Sequence, residues 1–177
     1  HVDDWCGRHP GRFIPLGLPP IWDPEEMGRE VRRLARKGCH AISISENPTS
    51  MGLPSYHADD FWDPVWRACV DEGTAVCIHI GTGKGIPSPS MDTPIDASIL
   101  ATPLAIANCA ADLLFSQALR RWPTLTFVLS EGGLGWVPYF LERADYVYEH
   151  HHRWTGQDFG DVPPRAVFRR QIVSCFF

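Results

Sequence analysis

The sequence lacks the signatures of several protein classes. It has no Cys-x-x-Cys pair, although six cysteines stand at positions 6, 39, 69, 77, 109 and 175 of its 177 residues. That spacing offers neither a zinc-ribbon pattern nor the disulfide framework of a small secreted domain. Cys39, Cys69, Cys77 and Cys109 lie inside apolar or helix-like runs, which reads as reduced, buried thiols in a cytoplasmic protein. Positive charge is in deficit, since 16 Lys+Arg against 21 Asp+Glu leaves a net charge of −5. No basic footprint for nucleic acid or an anionic membrane follows from that balance. No run approaches the ~18 apolar residues of a transmembrane helix, and no basic-then-apolar leader opens the chain.

Several catalytic motifs are also missing. There is no Gly-x-Ser-x-Gly elbow and no His-Glu-x-x-His. Gly81-Thr82-Gly83-Lys84-Gly85 invites a phosphate-loop reading, but Gly85 stands where a Walker motif needs Ser or Thr. A dinucleotide fingerprint fails at Ile86 in one frame and at Pro138 in another, so nucleotide binding is disfavoured.

What is present is the composition of a folded protein, 44% hydrophobic and 21% charged, at a length that suits about one domain. The chain starts at His1 rather than Met, and Gln171 to Phe177 reads as an apolar strand that stops without a turn. Residues 1–177 are therefore expected to be a single domain truncated at both ends.

Asp23-Pro24-Glu25-Glu26 predicts a helix start, with an N-cap, a proline at the first helical position and a glutamate at the third. Trp62-Asp63-Pro64 repeats the pattern and predicts a second start. Helices are also expected over 99–121, with a break near Pro103, and over 136–152. Between them lie short β-type runs, Arg12–Leu18, His40–Glu46, Ala75–Gly81, Leu125–Glu131 and the final segment. Five strands alternating with four helical segments, with no Asn-Gly or Asp-Gly hairpin turn, predict parallel βαβ units. Either a doubly wound sheet or part of a (β/α)8 barrel fits, and a complete barrel usually needs ~250 residues.

Parallel folds place their ligand sites at the C-terminal ends of the strands. Three such ends read Ser45-Glu46-Asn47, His79-Ile80-Gly81 and Ser130-Glu131-Gly132-Gly133. Alternation puts His79 with Cys77 on the small, polar face of its strand, where a neutral imidazole could hold a metal or take a proton. The plainer alternative is a histidine bonded to a carbonyl. Glu131 is a candidate acid, base or ligand, yet alternation groups it with Phe127 and Leu129 unless the strand bends before the glycines. Glu46 and Asn47 are candidates near a substrate, with Asn47 before Pro48 also fitting a simple turn. His57 reads as a solvated loop residue, and His150-His151-His152 as a helix-end surface cluster.

With these residues in place, the chain resembles the amidohydrolase-related family of metal-dependent (β/α)8 barrels, which includes hydrolases and aromatic-acid decarboxylases. The resemblance rests on Arg12-Phe-Ile-Pro-Leu, Trp22-Asp-Pro, Glu46-Asn-Pro, Gly52-Leu-Pro-Ser, Phe61-Trp-Asp-Pro, Ile78-His-Ile-Gly, Ser130-Glu-Gly-Gly-Leu-Gly-Trp-Val-Pro and Phe168-Arg-Arg-Gln. It implies an α/β fold, a partial TIM barrel whose five strands correspond to barrel strands three to seven. His79 takes the place of the fifth-strand metal ligand. The family's first-strand His-x-His pair and last-strand aspartate have no counterpart here, and Glu131 stands where its decarboxylases carry a catalytic histidine.

The resemblance further implies a divalent metal, zinc first and manganese as the other candidate, a small carboxylated or cyclic substrate, and a homodimer. With one matched ligand, this chain alone is expected to bind metal weakly and turn over little. The competing expectation is a degenerate barrel that binds a ligand or partner without metal.

Overall fold

The computed structural model describes residues 2–83, 88 and 90–176, with only the backbone at residue 59. The first helix forms as its spacing predicts. Asp23 has extended backbone (φ −134°, ψ 98°) and its carboxylate accepts the Glu26 N–H at 3.0 Å, while Pro24 occupies the first turn of α1 (Pro24–Ala35). A proline there gives up an N–H that the helix leaves unbonded anyway. Met27, Val31 and Leu34 carry the apolar face of α1 into the core.

Four strands follow in a single parallel sheet: β1 (Ala41–Ser45), β2 (Ala75–His79), β3 (Phe127–Ser130) and β4 (Ile172–Ser174). Their spatial order equals their sequence order. Successive right-handed crossovers without a reversal of order place every connecting helix on the same side of the sheet. A doubly wound sheet needs such a reversal; this sheet has none among the described residues, as in part of a (β/α)8 barrel.

One face of the sheet is buried throughout; the other is mixed, with Ala41, Ser45 and Cys77 buried as well. Ile42, Ile44, Val76, Ile78, Phe127, Leu129 and Ile172 turn toward the helices and are nearly inaccessible. Ser43, Val128 and Ser130 on the other face are half-buried, and Val173 is exposed. That second face is the one a closed barrel would turn inward.

The helical layer comprises α2 (Asp59–Glu72), α3 (Ile95–Ala101), α4 (Pro103–Phe115), α5 (Ala118–Arg121), α6 (Val137–Thr155) and α7 (Pro164–Gln171). Beneath it lies an aromatic cluster. Tyr56 packs on Trp62 at 5.3 Å between ring centroids, and Trp66 meets Phe127 edge-on at 5.4 Å.

Five differences from the sequence-based expectations have physical causes. The run Arg12–Leu18 is not a fifth strand; it touches the sheet at one bridge, where the Gly17 N–H donates to the Ala41 carbonyl at 2.9 Å and the Gly17 carbonyl accepts from the Ser43 N–H at 2.8 Å. Pro15, Pro19 and Pro20 remove the donors that a longer ladder would need. Secondly, α2 begins at Asp59, so Pro64 lies inside it rather than at its start. Buried Trp62, whose indole N–H donates to the Ser55 carbonyl at 2.9 Å, draws the preceding turn into the helix.

A third difference is α7, which forms where the sequence reads as loop, and Gln171 ends it rather than opening the strand. Its amide donates to the carbonyls of Trp122 and Leu125, a tertiary anchor invisible to local pattern. The helix expected over 99–121 starts earlier, at Ile95; the expected break near Pro103 is present, after Ala101, and a second, unexpected one follows Phe115.

The last difference concerns apolarity. Ile95–Phe115 holds an 18-residue window of mean hydropathy 1.6 and is long and apolar enough by composition to cross a membrane. Here it is two helices, and Ile106, Cys109, Ala110, Leu113 and Leu114 of α4 point into the core. Cys39, Cys69, Cys77 and Cys109 are buried, as their apolar surroundings predict.

Candidate functional site

Strand register assembles the rim. Ser45 is opposite His79, and His79 is opposite Ser130, so one row of residues crosses three strands at their C-terminal ends. The His79 Nδ1 lies 2.7 Å from the Ile80 carbonyl oxygen. A carbonyl only accepts, so Nδ1 carries the proton and Nε2 is left directed away from the backbone.

Nε2 faces the Glu131 carboxylate, with 3.4 Å to Oε2, and both side chains are about half-exposed. A neutral ring in this tautomer would set a lone pair against a carboxylate oxygen. A cation held between the two groups would satisfy both.

The ambiguity over which way Glu131 points is settled by its backbone. Its φ is +56°, the only positive value at a non-glycine among the described residues. This left-handed turn ends β3 and takes the side chain off the face shared by Phe127 and Leu129. The next residue needs to be glycine, because a Cβ built on Gly132 would lie 2.3 Å from Ile106 Cγ2 of α4. The Trp136 indole N–H holds the same turn from outside, donating to the Gly132 carbonyl at 2.8 Å.

Glu46 and Asn47 stand on the same rim, but their oxygens are occupied. Glu46 is buried, and its carboxylate accepts the N–H groups of Thr82 and Gly83. Asn47 is exposed and caps the 3₁₀ turn Pro48–Met51, its Oδ1 accepting from Ser50 N–H at 3.3 Å and Thr49 Oγ1 at 2.6 Å. Tyr56, buried beneath them, donates its hydroxyl to the Ser45 carbonyl. Burial foremost, with Cys109, Asp112 and Glu46 nearby, pushes its phenol well above the ordinary value, so it stays a donor.

Other histidines are elsewhere engaged. His57 pairs with Asp112 of α4 at 2.5 Å. On α6, His150 and His152 turn their Nδ1 atoms to the carbonyls of Tyr146 and Tyr148. The phosphate-loop stretch falls partly on Lys84 and Gly85, which lie outside the described residues. Sequence reasoning missed Thr82 and Gly83 as rim residues; their only local signal is that they follow His79 in a glycine-rich turn.

Among the described residues, no three His, Cys, Asp or Glu side chains come together as a metal-ligand set. His79 and Glu131 fit part of one, an imidazole nitrogen with its tautomer fixed and a hard carboxylate oxygen beside it. A sequential parallel sheet with one helical layer and polar groups at its C-terminal rim is the architecture of part of a (β/α)8 barrel.

Residues 1–175 match the model of the amidohydrolase family, and the chain belongs to that family. It is 24% identical over 184 residues to gamma-resorcylate decarboxylase of Rhizobium radiobacter, covering 97% of this chain and 51% of that protein. The crystal structure of 5-carboxyvanillate decarboxylase from Sphingomonas paucimobilis superposes with a TM-score of 0.75 at 25% identity, over 95% of this chain and 49% of that one. A second such decarboxylase, from Novosphingobium aromaticivorans, has a TM-score of 0.73 at 22% identity, over 98% of this chain and 50% of that one. Its structure holds manganese and 3-methoxy-4-hydroxy-5-nitrobenzoic acid. The chain thus spans about half the length of the relatives it matches.

Proposed function

We propose that this chain carries part of the active-site rim of a metal-dependent hydrolase or carboxy-lyase acting on a small, carboxylated cyclic substrate. The observation that supports it most is the His79–Glu131 pair, with Nδ1 committed to the Ile80 carbonyl and Nε2 aimed at the carboxylate. Relatives named as decarboxylases of carboxylated aromatics support the substrate class. Their relation to this chain covers about half their length.

His79 Nε2 is the ligand atom for a divalent cation, manganese as in the relative's structure or zinc. Such a cation, when bound, lowers the pKa of coordinated water and polarises a substrate oxygen. Glu131 serves as acid or base, moving a proton at Oε2. Its left-handed backbone holds that carboxylate at the rim without a long side-chain search. Glu46 and Asn47 shape the rim from behind. The protein is proposed to act in the cytoplasm, as a homodimer, on small molecules rather than nucleic acid or membranes.

The test is manganese affinity of the protein and of His79→Ala, read by calorimetry and by metal content. His79→Ala is expected to weaken binding at least ~10-fold. Equal affinity in the two proteins refutes the assignment. A second reading, a barrel that binds a ligand without metal, is supported by the lack of a third ligand beside the pair among the described residues. Stoichiometric, tightly held manganese or zinc would remove it.

A further inference from the structure

Glu46 sits where a substrate contact is expected, yet its carboxylate faces protein. The side chain is buried at 8% exposure; Oε2 accepts the Thr82 N–H and Oε1 the Gly83 N–H, each at 3.2 Å. In return the Glu46 N–H donates to Thr82 Oγ1 at 3.0 Å. That hydroxyl lies 2.8 Å from the carbonyl oxygen of His79 and 3.3 Å from Glu46 Oε2. A buried carboxylate persists where hydrogen bonds replace its lost hydration. Here the donors are two consecutive N–H groups of the turn that begins at His79. Packing is close as well: a Cβ built on Gly83 would lie 3.0 Å from Asn47 Cβ and 3.3 Å from Glu46 Oε1.

We infer that Glu46 is a positioning residue for His79. It clamps Thr82 and Gly83 to the end of β1 and so fixes the turn over 79–83. That turn presents the Ile80 carbonyl to Nδ1 and selects the tautomer with Nε2 open. Two strands and one loop are joined in this way through a single carboxylate, and the imidazole inherits their rigidity. The consequence for metal affinity rests on the proposed ligand role of His79, whereas the clamp and its effect on the tautomer do not.

Long-range ¹H–¹⁵N spectra at alkaline pH, where the imidazole is neutral, read which His79 nitrogen holds the proton. The parent protein is expected to show Nδ1–H. Glu46→Gln keeps the side chain's size but turns an NH2 toward a backbone N–H. It is expected to give a mixture of tautomers and about 10-fold weaker manganese binding. Thr82→Val is expected to behave likewise, while Thr82→Ser, which restores the hydroxyl, keeps the parent pattern.

Circular dichroism and melting confirm that each variant folds. A folded Glu46→Gln with the parent tautomer and parent affinity overturns the inference. Should that variant fail to fold, equal spectra for Thr82→Val and Thr82→Ser overturn it instead. Tautomer mixing in a protein that binds no manganese even before substitution supports the clamp and refutes the ligand role.

Discussion

Glu131 pays for its position in backbone strain, and that strain is measurable. A left-handed conformation costs a residue with a Cβ about 1–2 kcal/mol, and Glu131 sits at φ +56°. Glu131→Ala and Glu131→Gly both delete the pairing with His79, a half-exposed contact worth ~0–1 kcal/mol. They differ in the backbone alone. Alanine keeps the strained Cβ, while glycine removes it but loses ~0.5–1 kcal/mol through its freer unfolded state. The glycine variant is therefore expected to be more stable than the alanine variant by about 0.75 kcal/mol, the difference of the two mid-range values, or ~2–3 °C in Tm at this chain length. Urea titration and thermal melting of the two proteins measure the difference. An alanine variant as stable as the glycine variant would refute the argument that strain holds this carboxylate against His79.

Two further outcomes follow from packing and burial. Gly132→Ala should destabilise the protein by about 1–3 kcal/mol, because the new methyl meets Ile106 Cγ2 at 2.3 Å. Adding Ile106→Ala should recover part of that loss in urea titration if this clash is the cause. Burial pushes the Cys69 thiol from 9.0 up to about 12, with Arg32 pulling weakly the other way. A thiol raised in the folded state stabilises fully below pH ~9, and that contribution drains as pH climbs toward the folded value. Cys69 alone accounts for a loss of about 1.4 kcal/mol by pH 10, and burial also raises Cys77, Cys109 and Tyr56. Urea titration at pH 8 and pH 10 checks the sign, and Cys69→Ala should flatten the slope.

Local rules read α1 well because its instructions are short-range: a capping aspartate, a proline at the first turn and an apolar face at helical spacing. Parallel strands were legible for a similar reason, since β1, β2 and β3 are β-rich runs with helical segments between them. The elements misread are those held by partners far along the chain. Trp62 pulls the start of α2 back to Asp59. Gln171 ties α7 to carbonyls 49 and 46 residues earlier. Prolines around Gly17 reduce an apparent strand to one bridge.

For the candidate site, sequence by itself determined which chemistry was available and at which edge, because strand ends in a parallel fold are chemically special wherever they occur. It named His79, Glu131, Glu46 and Asn47, and the family motifs that contain them. Tertiary structure decided what each one does with its atoms. The positive φ at Glu131 brings its carboxylate beside His79, and α4 packs Ile106 against the glycine that follows. The capture of the Glu46 carboxylate depends on a loop 36 residues away arriving within hydrogen-bonding reach. Alternation along a strand says which face a side chain leaves from, but hydrogen-bond partners are set by the packing of separate segments, and no local pattern encodes that.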